Sequence, residues 1–316
     1  NKTDLLAKMR KKILIATSTF GVFSQEPINL LCENNFDIIR NKTNRKLEQK
    51  ELAELISGCD AVIAGTEKYS SELIENNDNL KVISRLGVGL DNIESKIIED
   101  GTVKILTTQT TPETAVAELA ISLILSLLRS INVNDKNIKD SIWKKQYGSL
   151  LSNKTVGIIG LGRIGKEFIN LTRGFNLNFY VFDKYPDKNF IKQNDLKLVE
   201  LDKLLKYSDI ITLHLELNDE TKNLINLEKF KIMKKTALII NTSRAELINE
   251  DDLLLALGKK LIKGGGFDVF HNEPYSGELM KLNNVALTPH VGSYVIEIRE
   301  KMELEAVQNI IDAFDV

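Results

Sequence analysis

Apolar and polar positions alternate along this chain in two different rhythms. Short apolar runs stand at 13–16, 37–39, 61–64, 82–84 and 103–106, and between them, at 28–34, 47–57, 71–76 and 93–99, apolar residues recur at helical spacing. A short apolar run bounded by turn residues suits a strand buried on both faces, and a spacing of three and four suits a helix with one buried face. Strands alternating with helices predict a parallel sheet covered on both sides, here five-stranded.

Thr111-Pro112-Glu113-Thr114 then reads as a helix start, with proline near the first turn and an acid beside it. The helix runs through Val116, Leu119, Ile121, Leu123, Ile124, Leu127 and Leu128 and is apolar nearly all round, which predicts burial on more than one side. Its uninterrupted run between Glu118 and Arg129 is too short for a membrane span and contains Ser122 and Ser126. It is read as a helix crossing between domains, with part of it open to a partner subunit. Segment 132–151 is polar, with Trp143 and Tyr147 as isolated aromatics that serve either as interface anchors or as local packing.

A second alternation begins at Lys154. Strands are expected at 156–159, 179–182, 209–215, 236–241, 266–270 and 285–288. Helices are expected after the first glycine turn, in the second half of 194–207, at 226–235 and at 249–258. From His290 to the end the pattern is helical again, with Ile298, Met302, Ala306, Ile310 and Phe314 on one face. This last helix is predicted to return to the first domain. The division is then 1–108 with 291–316 for one domain and 109–290 for the other.

The most informative stretch opens that second half. Val156 to Ile159 forms a strand, Gly160-Leu161-Gly162-Arg163-Ile164-Gly165 follows, then a helical pattern, then a second strand ending in Asp183. Gly160 permits a tight turn, Gly162 lets a pyrophosphate approach the backbone, and Gly165 lets the helix pack on the strand. The N–H groups at Arg163 and Ile164 open a helix whose positive end faces the phosphates. Asp183 is placed to take the hydroxyls of an adenosine ribose and to repel a 2′-phosphate, so NAD is favoured over NADP. The bland reading is a glycine-rich turn in an ordinary βαβ unit. The strand before, the helix after and the acid beyond favour the dinucleotide.

Bulk composition narrows the rest. At 316 residues, 43% hydrophobic and 27% charged, the chain is long enough for about two domains with proper cores. A net charge of −2 argues against a bulk nucleic-acid binder. Cys32 and Cys59 make neither a disulfide framework nor a zinc site, and with three histidines no metal centre is expected. Asn1 to Lys12 is polar and basic and is followed by only a short apolar strand. No signal peptide is read there, and a cytoplasmic setting is expected.

In a doubly wound sheet, ligands bind beyond the carboxyl ends of the strands. Three late strands lead to Arg244, Glu273 and His290. If those strands are parallel neighbours, the three side chains converge beside the nicotinamide. His290 then exchanges a hydroxyl proton, Glu273 holds its other ring nitrogen, and Arg244 binds a carboxylate and polarises the adjacent carbonyl. Taken singly, each has a structural reading as an ion pair, a loop acid or a turn histidine; their joint placement after a dinucleotide unit reverses that. His214 is read as cofactor-adjacent or structural, His271 as structural, and Asp268, apolar-flanked within a strand, as a holder of the nicotinamide carboxamide. In the first half, Arg85-Leu86-Gly87-Val88-Gly89-Leu90-Asp91-Asn92 follows the fourth strand. Its glycines expose N–H groups suited to a carboxylate, and Arg85 adds a fork of donors. A plain turn with a surface ion pair is the alternative.

These segments, with Ile93, Ala117-Glu118, Asn241-Thr242-Ser243-Arg244, Gly266-Phe267-Asp268-Val269-Phe270, Glu273-Pro274 and Thr288-Pro289-His290, carry a family resemblance. Over nearly its whole length the chain resembles the D-isomer-specific 2-hydroxyacid dehydrogenases, and within them the D-3-phosphoglycerate dehydrogenase branch. The resemblance implies two doubly wound α/β domains, a flavodoxin-like substrate domain and a Rossmann dinucleotide domain, with a cleft between them. It implies NAD as cofactor, a homodimer, and Arg244, Glu273 and His290 as the catalytic set. It places the substrate acid on Arg85 and the backbone of Val88 and Gly89. Thr114, His214, Thr242 and Asp268 fall near the cofactor and Asp183 on its ribose. The implied reaction moves a hydride between nicotinamide and C2 of a D-2-hydroxy acid, as in phosphoglycerate dehydrogenase. A glyoxylate/hydroxypyruvate reductase is one alternative, and an NAD(H)-sensing protein-binding module is another. Two positions depart from the family: Ala245 stands where glycine is usual, and Asn249 where aspartate is usual. With the sequence ending at Val316, no regulatory domain and no serine feedback are expected.

Overall fold

The computed structural model describes residues 10–314. The polar opening stretch read from Asn1 to Lys12 lies mostly outside the described residues, as do the last two positions of the predicted terminal helix. The chain divides into two compact units, Asn1–Thr111 with Tyr294–Val316, and Pro112–Ser293.

The first unit runs β1 (Lys12–Ile15), α1 (Glu26–Glu33), β2 (Asp37–Arg40), α2 (Gln49–Ile56), β3 (Ala61–Ala64), α3 (Ser71–Glu75), β4 (Val82–Arg85), α4 (Ser95–Asp100) and β5 (Lys104–Thr107). The sheet is parallel throughout, in the order β2-β1-β3-β4-β5, the flavodoxin-like order expected. Successive strand residues point to opposite faces. Leu14, Val62 and Ile83 therefore pack with Leu52, Ile56 and Leu73 on one side, while Ile13, Ile15 and Ile63 pack with Leu31 and the returning C-terminal helix on the other.

The second unit runs α5 (Glu113–Arg129), α6 (Ile131–Lys139), β6 (Thr155–Ile159), α7 (Arg163–Leu171), β7 (Asn178–Phe182), α8 (Lys188–Gln193), β8 (Lys197–Leu198), α9 (Leu201–Tyr207), β9 (Ile210–Leu213), α10 (Leu227–Ile232), β10 (Leu238–Asn241), α11 (Glu250–Gly258), β11 (Gly264–Phe267) and β12 (Val285–Leu287). Its seven-stranded sheet is parallel, ordered β12-β11-β10-β9-β6-β7-β8. The returning helix, α12 (Ile296–Phe314), belongs to the first unit. It buries Met302, Ala306 and Ile310 on the predicted face, with Ile298 and Phe314 half-buried beside them.

Several expectations are corrected. The strand read at 266–270 is β11, at Gly264–Phe267. Gly264, Gly265 and Gly266 carry no hydropathy signal, yet the strand needs them: a Cβ on Gly266 would stand 3.0 Å from Leu123 Cβ, so its absence lets α5 lie close on β11. Asp268 therefore lies beyond the strand rather than within it. The helix read across 111–128 does not cross between domains; α5 lies within the second unit, against α7 and β10 to β12. The helical pattern read from His290 begins only at Ile296, because His290 has φ +55, outside the helical region. Helix α8 and edge strand β8 were not foreseen; β8 is two residues long and exposed on both. No single helix among the described residues is long and apolar enough to cross a membrane; α5 and α6 pass that test only as a pair bent by 64°.

Candidate active site

The glycine turn joins β6 to α7 with the geometry its sequence implies. Gly160 has φ +97, and a Cβ there would lie 2.6 Å from the carbonyl oxygen of His214. A Cβ on Gly165 would lie 2.3 Å from the carbonyl oxygen of Gly160, so α7 rests directly on the turn. At Gly162, by contrast, a Cβ would meet nothing within 4 Å. This residue is the N-cap of α7 and supplies no side-chain cap, so the first N–H groups of the helix, at Arg163 and Ile164, open onto free space. Asp183 directly follows β7 and is half-buried. Its Oδ2 accepts from Leu161 N at 2.6 Å and its Oδ1 from Tyr185 N at 2.7 Å. A carboxylate accepts about four bonds, so two positions remain for hydroxyls. Open space at the helix start with an acid at the next strand end fits a dinucleotide.

Two buried polar atoms just past the ends of neighbouring strands take no protein hydrogen bond. Thr242 Oγ1 follows the end of β10, and His214 Nδ1 follows β9. His214 is half-buried as a residue, but its ring is enclosed. Burial pushes its imidazole down to about 3, and Nε2 lies 3.1 Å from the Thr212 hydroxyl. It is a neutral ring at ordinary pH. Thr114, in the first turn of α5, is exposed and donates to Glu167 of α7 at 3.2 Å.

The neighbouring strands β10, β11 and β12 are parallel, so the segments leaving them stand at one end of the sheet. The structure brings Glu273 and His290 into contact, with Nδ1 of the ring 3.0 Å from Oε1 and 2.9 Å from Oε2. Glu273 also accepts from Phe270 N at 3.2 Å. With Nδ1 so held, Nε2 is the ring nitrogen that Glu273 does not engage. Arg244 stands just past β10, where its Nη1 donates to the Ser243 carbonyl at 2.8 Å and Asn241 Nδ2 donates to its own carbonyl at 2.8 Å. Ala245 is buried in the short 3-10 turn that follows. Asn249 accepts from Asp252 N at 3.0 Å and caps α11, the task an aspartate performs equally well.

Sequence reasoning missed what Asp268 does. It is 1% exposed and accepts three bonds from the loop that carries His290. These come from the Thr288 hydroxyl at 2.6 Å, Val291 N at 2.8 Å and Gly292 N at 2.9 Å. Burial pushes its carboxyl above the usual range. The loop from Phe270 is tied down separately. The Phe270 and Tyr275 rings stack at 4.3 Å, and the Tyr275 hydroxyl donates to Glu250 at 2.7 Å. His271 is exposed, its Nε2 3.2 Å from the Ile248 carbonyl. The acid flanked by apolar residues was the available signal for Asp268; nothing marked Tyr275.

In the first unit, Arg85 ends β4 and its guanidinium folds back over its own turn. Nη1 donates to the Leu86 carbonyl, and Nε donates to Asn92 Oδ1 at 3.3 Å. Gly87 has φ +138 and donates to the Thr108 hydroxyl at 3.1 Å. Val88 is exposed and Gly89 half-buried.

A parallel sheet with such a turn at its first strand defines a dinucleotide-dependent α/β enzyme. The family model described as "D-isomer specific 2-hydroxyacid dehydrogenase, NAD binding domain" matches residues 121–292. The chain is 32% identical over 317 residues to a glyoxylate reductase of Pyrococcus furiosus, covering 96% of this chain and 92% of that one. It is 33% identical to a D-3-phosphoglycerate dehydrogenase of Synechocystis, covering 84% of this chain and 49% of that one. Its fold superimposes on the TT0316 protein of Thermus thermophilus with a TM-score of 0.86 at 26% identity, covering 96% and 97% of the two chains. The chain belongs to the D-isomer specific 2-hydroxyacid dehydrogenases and is an NAD-dependent oxidoreductase. Its substrates are small 2-hydroxy or 2-oxo acids.

Proposed function

We propose that the chain interconverts a small 2-oxo acid and its 2-hydroxy acid, the D isomer where C2 is a stereocentre, with Arg244, Glu273 and His290 as the catalytic set. The paired contacts of His290 with Glu273 carry this reading. The bound coenzyme supplies or takes the hydride. His290 Nε2 gives a proton to the carbonyl oxygen during reduction and takes one from the hydroxyl during oxidation. Glu273 fixes the tautomer and stabilises the imidazolium. The Arg244 guanidinium holds the substrate oxygens and polarises the carbonyl. Arg85 with the backbone of Val88 and Gly89 receives the acid end. Glyoxylate and hydroxypyruvate are one substrate pair, supported by the glyoxylate reductase relative. A phosphorylated glycerate is the second, supported by the phosphoglycerate dehydrogenase relative. The test is NADH oxidation with a panel of both kinds.

The same reading places Gly160, Gly162, Arg163, Ile164 and Gly165 on the pyrophosphate, Asp183 on the ribose, and Thr114, His214, Thr242 and Asp268 near the nicotinamide half. Replacing Asp183 with alanine is expected to lower the preference for NADH over NADPH by roughly tenfold or more, because the charge that repels a 2′-phosphate is gone. Fluorescence titration with the two coenzymes measures this. Equal weakening of both would sink the ribose assignment.

The reading extends to a cytoplasmic homodimer built on the arm after α5. Trp143 is 84% exposed, and Tyr147 and Leu150 are exposed beside it. Such aromatics are not local packing residues, and rigid exposed aromatics anchor interfaces. Trp143→Ala combined with Tyr147→Ala is expected to shift the protein toward half its mass in sedimentation. An unchanged sedimentation coefficient in the variant would place the interface elsewhere.

A further inference from the structure

One charged group at the carboxyl end of the first unit's sheet has no part in the chemistry above. Glu67 follows β3 and is 2% exposed. Its Oε2 accepts from Gly65 N at 3.0 Å. Among the described residues no other hydrogen bond reaches this carboxylate, although such a group accepts about four. A buried carboxylate is rarely left so poorly supplied with donors.

Its surroundings connect it to the proposed acid-binding turn. Strands β3 and β4 are neighbours, with Ala64 opposite Arg85. Asn92 ties the two strand ends together. Its Nδ2 donates to the Glu67 carbonyl at 2.6 Å and to the Gly65 carbonyl at 3.1 Å, while its Oδ1 accepts from Arg85 Nε. The Tyr69 hydroxyl, which feels the charges of both Glu67 and Arg85, is buried and takes no hydrogen bond. Other cations of this region are occupied. Lys68 is exposed and its charge acts on Glu94. Arg299, beside the turn after β1, is 3% exposed and paired with Glu303 at 3.0 Å.

We propose that Glu67 sets the substrate's class at its third carbon, accepting a hydroxyl there and excluding a phosphate. The proposal rests on the reading that Arg85, Val88 and Gly89 seat the substrate carboxylate. Because Asn92 joins the Arg85 side chain to the main chain of Gly65 and Glu67, in this proposal the C3 substituent of an acid held at Arg85 turns toward the end of β3 that carries Glu67. A hydroxyl donates to the under-supplied carboxylate. A phosphate dianion meets a like charge on a residue 2% exposed, and repulsion at a largely buried charge is screened less by salt than at the surface. The enzyme is then a reductase of unphosphorylated acids, and hydroxypyruvate is a better substrate than its 3-phosphate.

The test is steady-state NADH oxidation with glyoxylate, hydroxypyruvate and 3-phosphohydroxypyruvate, using the full chain. The wild type is expected to show a kcat/KM for hydroxypyruvate at least about tenfold above that for the phosphate ester. In Glu67→Gln that ratio is expected to fall by about tenfold or more. Glu67→Asp, which keeps the charge but withdraws it by one methylene, is expected to move the ratio the same way by less, and serves if the glutamine variant does not fold. A wild type that uses the phosphate ester equally well, or variants that change all three substrates by one common factor, would overturn the assignment while leaving the parent reading standing. Turnover of none of the three would overturn both.

Discussion

His290→Ala is expected to lower kcat by roughly a thousandfold while leaving NADH affinity within about twofold of the wild type. General acid–base catalysis by a positioned side chain is worth about a hundred- to ten-thousandfold, and His290 is the group placed to supply it. Its ring is held by both oxygens of Glu273. Its backbone sits at φ +55, a conformation non-glycine residues rarely adopt and one that persists only where the surroundings impose it. The proposed function assigns the pyrophosphate and ribose of NADH to the glycine turn and Asp183, away from His290. Stopped-flow turnover and fluorescence titration separate the two effects. Loss of NADH binding instead of turnover would give His290 another role.

The second large effect is expected at Asp268. Asp268→Asn keeps the volume but replaces one acceptor oxygen with an amide that donates. The three partners, the Thr288 hydroxyl and the N–H groups of Val291 and Gly292, cannot all be satisfied, and the two N–H groups can only donate. A donor facing a donor in a site 1% exposed costs about 1–3 kcal/mol. The loss falls on the segment that holds His290. Displacement of a catalytic group by about 1 Å can cost on the order of a hundredfold in rate. The expectation is therefore a lowered melting temperature together with a kcat lower by about a hundredfold. A variant that melts early yet turns over at the wild-type rate would show that Asp268 braces the fold and not the histidine.

How much of this the residues declared in advance follows from what each kind of signal reports. The first sheet was legible because strands such as Ala61–Ala64 are continuous apolar runs, buried at every position. The glycine turn was legible because Gly160 and Gly165 each answer a steric demand and Gly162 leaves the start of α7 open. Glu273 and His290 were legible as strand-end groups, and parallel pairing of β11 and β12 then brought them together. Strand β11 was misplaced because Gly264, Gly265 and Gly266 carry no hydropathy, and their need for close packing appears only once Asn284, Phe267 and Leu123 are seen against them in turn. The start of α12 was misplaced because the turn at His290 is enforced by Asp268, a residue more than a strand away in sequence. Asp268 and Glu67 share one lesson. The apolar flanks of Asp268 marked it as no free surface residue and nothing marked Glu67, but in both only the donors, or their scarcity, reveal what the acid is for.

The central claim is that a carboxylate-held imidazole moves the proton while NADH reduces a small 2-oxo acid. Its most direct test is the consumption of NADH by the wild-type protein with glyoxylate and hydroxypyruvate, with the product of the latter resolved by chirality. One NADH consumed for each D-glycerate formed is the result this account predicts. NADH bound tightly but oxidised by neither acid would contradict it.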